Sequence, residues 1–281
     1  MAQSLVFQND DLIVAYEPTL EGAAVEMFRL YPDLRQELEK IFGWGLDIKP
    51  HVVLLKNTQN FKKLSRSKLF VAFAVPEKKL IVIDYSRMNL HPFSLRVTFK
   101  HELCHLILHR HISSQRLPRW LEEGICQWAS DGIGEIFIDK SVSGLDAAIM
   151  ADRVLHLKGL ARKFPRDKPS LILAYEQSKS VVNYIDRQYG KGAILDLLGH
   201  LKNGESMEAA VVKSLGISSD ELENDWLSHL ASTPRWLVYL AHNLYGILFF
   251  VAALLTVLGF VMRIMRRKAW EKAEEEDGND G

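Results

Sequence analysis

His101-Glu102-Leu103-Cys104-His105 opens the stretch HELCHLILHRHISSQRLPRWLEEG, residues 101–124, from which the rest of the chain can be read. Pro92 suits a first helical turn, and no helix breaker follows before the loop that precedes Pro118, so a helix is predicted from about Pro92 to His109. His101 and His105 then lie one turn apart on the same face. Two imidazoles so placed converge on one zinc ion, with Glu102 beside them to act on a water in the metal's open position. Val97, Phe99, Leu103, Leu106 and Leu108 supply the apolar setting that a buried metal helix needs. A catalytic zinc takes a third protein ligand. The next predicted helix, opened by Pro118 and running to about Ser130, offers Glu122 and Glu123. Their side chains point about 100° apart around that helix, so the two cannot do the same job. His91, His109 and His111 read as surface polar residues.

HELCH followed by LPRWLEEG resembles the gluzincin zinc metallopeptidases, specifically the peptidase MA-like family. The resemblance implies a zincin-like catalytic domain that hydrolyses peptide bonds in a peptide or protein substrate. It makes Glu123, immediately before Gly124, the third zinc ligand with His101 and His105. It makes Glu102 the general base on a zinc-bound water, and it points to a tyrosine well downstream as oxyanion donor, with Tyr175 the candidate and Tyr184 the reserve. The predicted hairpin over residues 69–85 resembles the cleft-lining edge strand of zincins, which can bind an extended peptide through its main chain. Residues 173–184 and 206–230 are similar to the family's second helical half and its closing helices. Two departures stand out. Gln127 occupies a position where such sites often carry a carboxylate, so its carbonyl is expected to accept the hydrogen bond of a ligating histidine, with somewhat weaker zinc binding. No aminopeptidase-type motif lies on the strand 69–75, which favours an endopeptidase or a peptidase of narrow specificity. The alternative is a catalytically silent pseudopeptidase, a membrane-tethered zinc-binding module. A structural membrane protein with an accidental HELCH is a further alternative, and it predicts no zinc.

Outward from the motif, Leu12–Tyr16, Val52–Lys56, Leu69–Val75 and Leu80–Tyr85 read as strands, the last two flanking PEKK as a hairpin. Residues 20–42 read as a helix interrupted by Pro32 and stopped by Gly43. The second half reads as helical, punctuated by Gly190, Gly204 and Gly216, with Ser218 and Glu221 forming a capping box. Strands first and helices after make an α+β fold: an N-terminal mixed sheet, the active-site helix and a helical C-terminal half over residues 1–232.

Residues 236–262 carry no Lys, Arg, Asp, Glu or Pro, and Leu244 to Met262 is their most apolar part. A helix of that length covers a bilayer core of roughly 30 Å, with Trp236, Tyr239 and Tyr245 toward one interface. A single transmembrane helix is expected here, followed by a basic and then acidic disordered tail over 263–281. Arg263, Arg266, Arg267 and Lys268 put that tail in the cytoplasm and the large domain outside. Met1–Pro18 does not read as a signal peptide, which pulls the other way. The chain has 281 residues, with 35 Lys plus Arg balanced by 35 Asp plus Glu, which argues against a nucleic-acid partner bound by a global basic field. With two cysteines, Cys104 and Cys126, a disulfide scaffold and a four-cysteine zinc module are excluded; one bridge between them is the alternative to two buried free thiols, the reading preferred. Gly246 and Gly259 are too far apart for a close-packing helix dimer, so the sequence is silent on oligomeric state.

Overall fold

Apolar runs in the first third become strands because alternate side chains can be buried. Val14 and Tyr16 of β2 (Ile13–Tyr16) and Val52 and Leu54 of β3 (His51–Leu55) face the core. β5 (Leu80–Asp84) is buried on both faces from Ile81 to Asp84, as an interior strand must be. With β1 (Leu5–Gln8) and β4 (Ala72–Val75) at the edges, the sheet runs β1-β2-β3-β5-β4. The inner pairs β2–β3 and β3–β5 are parallel, and both edge pairs are antiparallel. The structure, a computed structural model, describes residues 4–65, 69–88, 90, 93–131, 144–151, 153–232 and 244–277.

Parallel pairing of β2 with β3 requires a crossover, which α1 (Glu21–Phe42) provides. Ala24, Met27, Tyr31, Leu34 and Leu38 recur at helical spacing and bury one face of it. The interruption expected at Pro32 does not occur; the helix runs on through it. The penalty of roughly 3 kcal/mol for an interior proline is outweighed by the flanking anchors, Tyr31 and Leu34. Gly43 ends the helix as expected, in the left-handed region at φ 68°. α2 (Thr58–Ser65) follows β3, and the hairpin β4–β5 forms as read, through a short helical turn over Pro76–Lys78.

The chain then turns helical: α3 (Leu95–His111), α4 (Arg119–Ala129), α5 (Gly144–Met150), α6 (Lys168–Lys202), α7 (Met207–Leu215) and α8 (Ser219–Ser232). α3 begins at Leu95, and Pro92 lies outside the described residues. Gly190 bends α6 with φ 82°, Gly216 closes α7, and Ser218 and Glu221 make the reciprocal bonds of a capping box. α4 lies against α6 at a distance only glycine permits: a Cβ on Gly124 would sit 2.4 Å from the Ser178 carbonyl oxygen. The α+β order expected from the sequence is the one observed.

Residues 1–230 form one unit and residues 231–281 a second. Within the second, α9 (Leu244–Asp277) contains one segment, Leu244–Met265, long and apolar enough to cross a membrane. Trp236 and Tyr239 lie outside the described residues. Helix also replaces the disorder expected of the tail, as far as Asp277. Its Ala, Glu and Lys residues are strong helix formers, and net acidity alone does not override that propensity.

Candidate metal centre

α3 is buried continuously from Thr98 to Leu108, so its polar residues sit where polar groups are costly unless satisfied. Lys100 escapes through an ion pair with Glu37 at 2.9 Å. His101 and Glu102 are fully buried and His105 is nearly so. One helical turn brings the two imidazoles together, with His101 Nε2 and His105 Nε2 3.2 Å apart. α4 supplies the third group. Glu123 Oε2 stands 3.7 Å from His101 Nε2 and 3.6 Å from His105 Nε2. The register of α4 on α6, set by Gly124, carries that carboxylate inward.

The three atoms fit a zinc ion. Ligands about 2.0–2.1 Å from a tetrahedral zinc lie about 3.3 Å from one another, and this triangle has edges of 3.2, 3.6 and 3.7 Å. Glu123 Oε2 is buried and has no hydrogen-bond partner among the described residues, although it faces two ring nitrogens. His101, His105 and Glu123 are also the three-residue grouping of metal-ligating side chains found among the described residues. Burial depresses the His101 pKa. Burial also acts to depress His105, but the Glu123 and Glu122 carboxylates outweigh it and hold His105 well above the usual histidine value. Both glutamates titrate below the ordinary carboxylate range despite burial, because the imidazoles face them. One carboxylate and two imidazoles are the donor chemistry that suits a zinc ion.

The surrounding groups fix which atoms face inward. Glu122 turns away from the cluster and takes His105 Nδ1 at 2.7 Å. In the neutral imidazole that bond places the proton on Nδ1 and leaves the Nε2 lone pair toward the cluster. Glu122 Oε1 also meets His109 Nε2 at 2.8 Å, and His109 Nδ1 meets Ser114 Oγ at 3.1 Å. His109, read as a surface residue, is thus part of the scaffold, not a ligand. On the other side, Glu123 Oε1 accepts from Arg119 Nη2 at 3.2 Å and from the Tyr175 hydroxyl at 3.3 Å. Arg119 carried no signal beyond its place four residues before Glu123. Tyr175 is buried at the site, its ring edge-on to Phe164, whereas Tyr184 packs on His229. Gln127 differs from expectation. Its Nε2 donates to the Tyr175 carbonyl at 3.0 Å, so it ties α4 to α6 and bonds neither ligating histidine. The carboxylate that such a site needs beside a histidine is Glu122. Cys104 and Cys126 are buried free thiols, and burial raises the Cys126 pKa.

A cleft of about 980 Å³ opens on the site, with His105, Glu122 and Glu123 on its lining. Phe73 and Ala74 of β4 line it too. β4 is the last strand in the sheet order, so its outer edge is free to pair with an extended chain among the described residues.

The model of the peptidase MA superfamily matches residues 67–232. Among solved structures, an M1 zinc metallopeptidase from Deinococcus radiodurans is similar at 17% identity, over 80% of this chain and 50% of that one, with a TM-score of 0.43. A mutant of an M1 zinc metallopeptidase from the same organism gives 16% identity, 80% and 51% coverage and a TM-score of 0.41. The chain spans about half the length of these solved chains. No curated protein matches.

Proposed function

The chain belongs to the peptidase MA superfamily, and on that premise we propose that it is a zinc-dependent peptidase tethered to a membrane by α9. The observation that carries the reading is the buried triangle of His101 Nε2, His105 Nε2 and Glu123 Oε2, with edges of 3.2 to 3.7 Å. Those three residues would hold the metal. Bound there, zinc supplies Lewis acidity, polarising a carbonyl and lowering the pKa of water.

The protein's own groups do the rest. The free edge of β4 takes the substrate as an added strand and presents its carbonyl to the site. Glu102 accepts a proton from the attacking water and delivers it to the leaving amine. Glu122 fixes the His105 tautomer. Arg119 and Tyr175 hold Glu123 through Oε1, so that Oε2 faces the imidazoles. Tyr175 reaches a developing oxyanion only by giving up that bond, so its first role is to hold the ligand. Leu244–Met265, at 22 residues, spans about 33 Å as a helix, enough to anchor the chain. The basic residues after it favour a cytoplasmic tail and an extracytoplasmic catalytic unit.

Metal analysis of the full chain, followed by a peptide-library cleavage assay with and without chelator, tests the proposal. Stoichiometric zinc with chelator-sensitive cleavage is expected. Zinc without cleavage of any peptide would establish the silent module instead, and absence of zinc would end both readings.

A further inference from the structure

Two arginines on the cleft are not used by the metal site. Three arginines line the cleft, Arg116, Arg119 and Arg162. Three carboxylates line it as well: Glu122 is engaged by His105 and His109, Glu123 by the imidazoles and Arg119, and Glu77 is exposed on the turn after β4 with no ion pair among the described residues. Arg116 and Arg162 form no ion pair among the described residues.

Arg116 is nonetheless held in place. Its Nη1 donates to the Gly204 carbonyl. Gly204 has φ +89°, and a Cβ there would lie 3.7 Å from the guanidinium carbon, so the group rests against bare backbone. A neutral carbonyl thus orients the guanidinium without neutralising it. One donor of five is spent, and the remaining fork matches a carboxylate. Arg162 is exposed beside Ala161, whose carbonyl accepts from Arg119 N at 2.8 Å, tying this segment to the start of α4. Ser206 and Met207, also on the cleft, begin α7, whose N-terminal end adds to the positive field.

Resting on the peptidase reading, we propose that Arg116 and Arg162 form a subsite for a carboxylate of the peptide substrate. An acidic side chain and a free C-terminal carboxylate both have this chemistry. The cleft then selects anionic peptides, and the two arginines determine specificity without touching the scissile bond.

Matched fluorescent peptides test this: Glu against Gln at each position, each with a free or an amidated C-terminus. Binding is read by anisotropy on the zinc-loaded full chain in neutral detergent, in a Glu102→Gln background that blocks turnover. Carboxylate peptides should bind about five- to tenfold more tightly than their amide counterparts, and less so at high salt. Arg116→Gln should bring that ratio near one. Arg162→Glu, at an exposed position where folding is not at stake, should invert it. Arg187→Gln, on the exposed face of α6, should leave it unchanged. Preference that follows the Glu/Gln exchange assigns an acidic side chain, and preference that follows the terminus assigns the α-carboxylate. Equal binding of acid and amide peptides, no binding of either, or a preference that survives both arginine variants overturns the subsite. Failure of the peptidase reading is separate: the preference stands, but the parent with intact Glu102 cleaves nothing in a chelator-sensitive way.

Discussion

Helices α3 and α9 are both rich in apolar residues, and they use them in opposite ways. α3 is buried almost throughout and carries Lys100, His101, Glu102 and His105 inside the protein. α9 leaves its apolar stretch wholly unburied, with Phe249 at 78% and Phe260 at 64% exposure. The departures from a generic helix therefore have different meanings. Polar groups inside α3 are tolerable only where something satisfies them, which marks a site. Apolar groups outside α9 call for a non-aqueous environment, which is the support for the proposed membrane segment. The sharpest way to break this contrast is one substitution made twice. Leu103→Arg, at a fully buried position, should cost more than about 4 kcal/mol and leave no folded catalytic unit by circular dichroism. Leu254→Arg in α9, 49% exposed, should leave the thermal unfolding of residues 1–230 unchanged and weaken membrane insertion by about 3 kcal/mol, read by carbonate extraction. A folded Leu103→Arg protein would dissolve the distinction.

Within α3, the polar residues separate by what they are there for. Glu102→Gln keeps the shape and removes the base, so hydrolysis should fall about 10²–10⁴-fold while zinc content stays at parent level. His105→Ala should lose the zinc itself. A Glu102→Gln enzyme as fast as the parent would show that burial of this carboxylate has a structural cause and no chemical one.

Glu122 tests the layer behind the ligands. Glu122→Gln removes the charge that holds the His105 tautomer, so zinc affinity, measured by chelator competition, should drop about 10–100-fold. An unchanged affinity would reduce Glu122 to packing. On zinc affinity the effect should exceed that of any single exposed residue on α9, because Glu122 acts on an atom only 2.7 Å from its own oxygen.

The metal helix, the hairpin beside the cleft and the apolar C-terminal helix were legible, because each rests on spacing within one segment, whereas the preference for Glu123 over Glu122 came from the resemblance of LPRWLEEG to the gluzincins. His101 and His105 need only one helical turn, and the two glutamates diverge by geometry that any helix imposes. What was not legible depends on how segments meet. Gln127 finds the Tyr175 carbonyl, and Tyr175 finds Glu123, because Gly124 lets α4 approach α6 so closely. No periodicity announces that distance. Pro32 was misread for the same reason: packing on the sheet overrides a local breaker. β1 escaped notice because its side chains are mostly exposed and leave no alternating pattern. Gln127→Glu sharpens the point. It sets a carboxylate against a carbonyl in a buried α4–α6 contact, so unfolding should become easier by about 1–3 kcal/mol, with no gain in zinc affinity. Tighter zinc binding would restore the reading of Gln127 as a weakened histidine partner.

The smallest effect is expected at Tyr175. Its hydroxyl is one of two donors to Glu123 Oε1, and Arg119 supplies the other. Tyr175→Phe removes a single hydrogen bond and leaves the buried ring in place against Phe164. A bond of this kind contributes about 1 kcal/mol, so zinc affinity should fall only about fivefold. If Tyr175 only holds the ligand, kcat at saturating zinc should fall by no more than a similar factor. A loss in kcat of a hundredfold or more, with zinc still bound, would mean that the hydroxyl leaves Glu123 to meet the developing oxyanion. The ratio of the two losses, metal affinity against kcat, therefore decides which of its two partners the hydroxyl serves during the reaction.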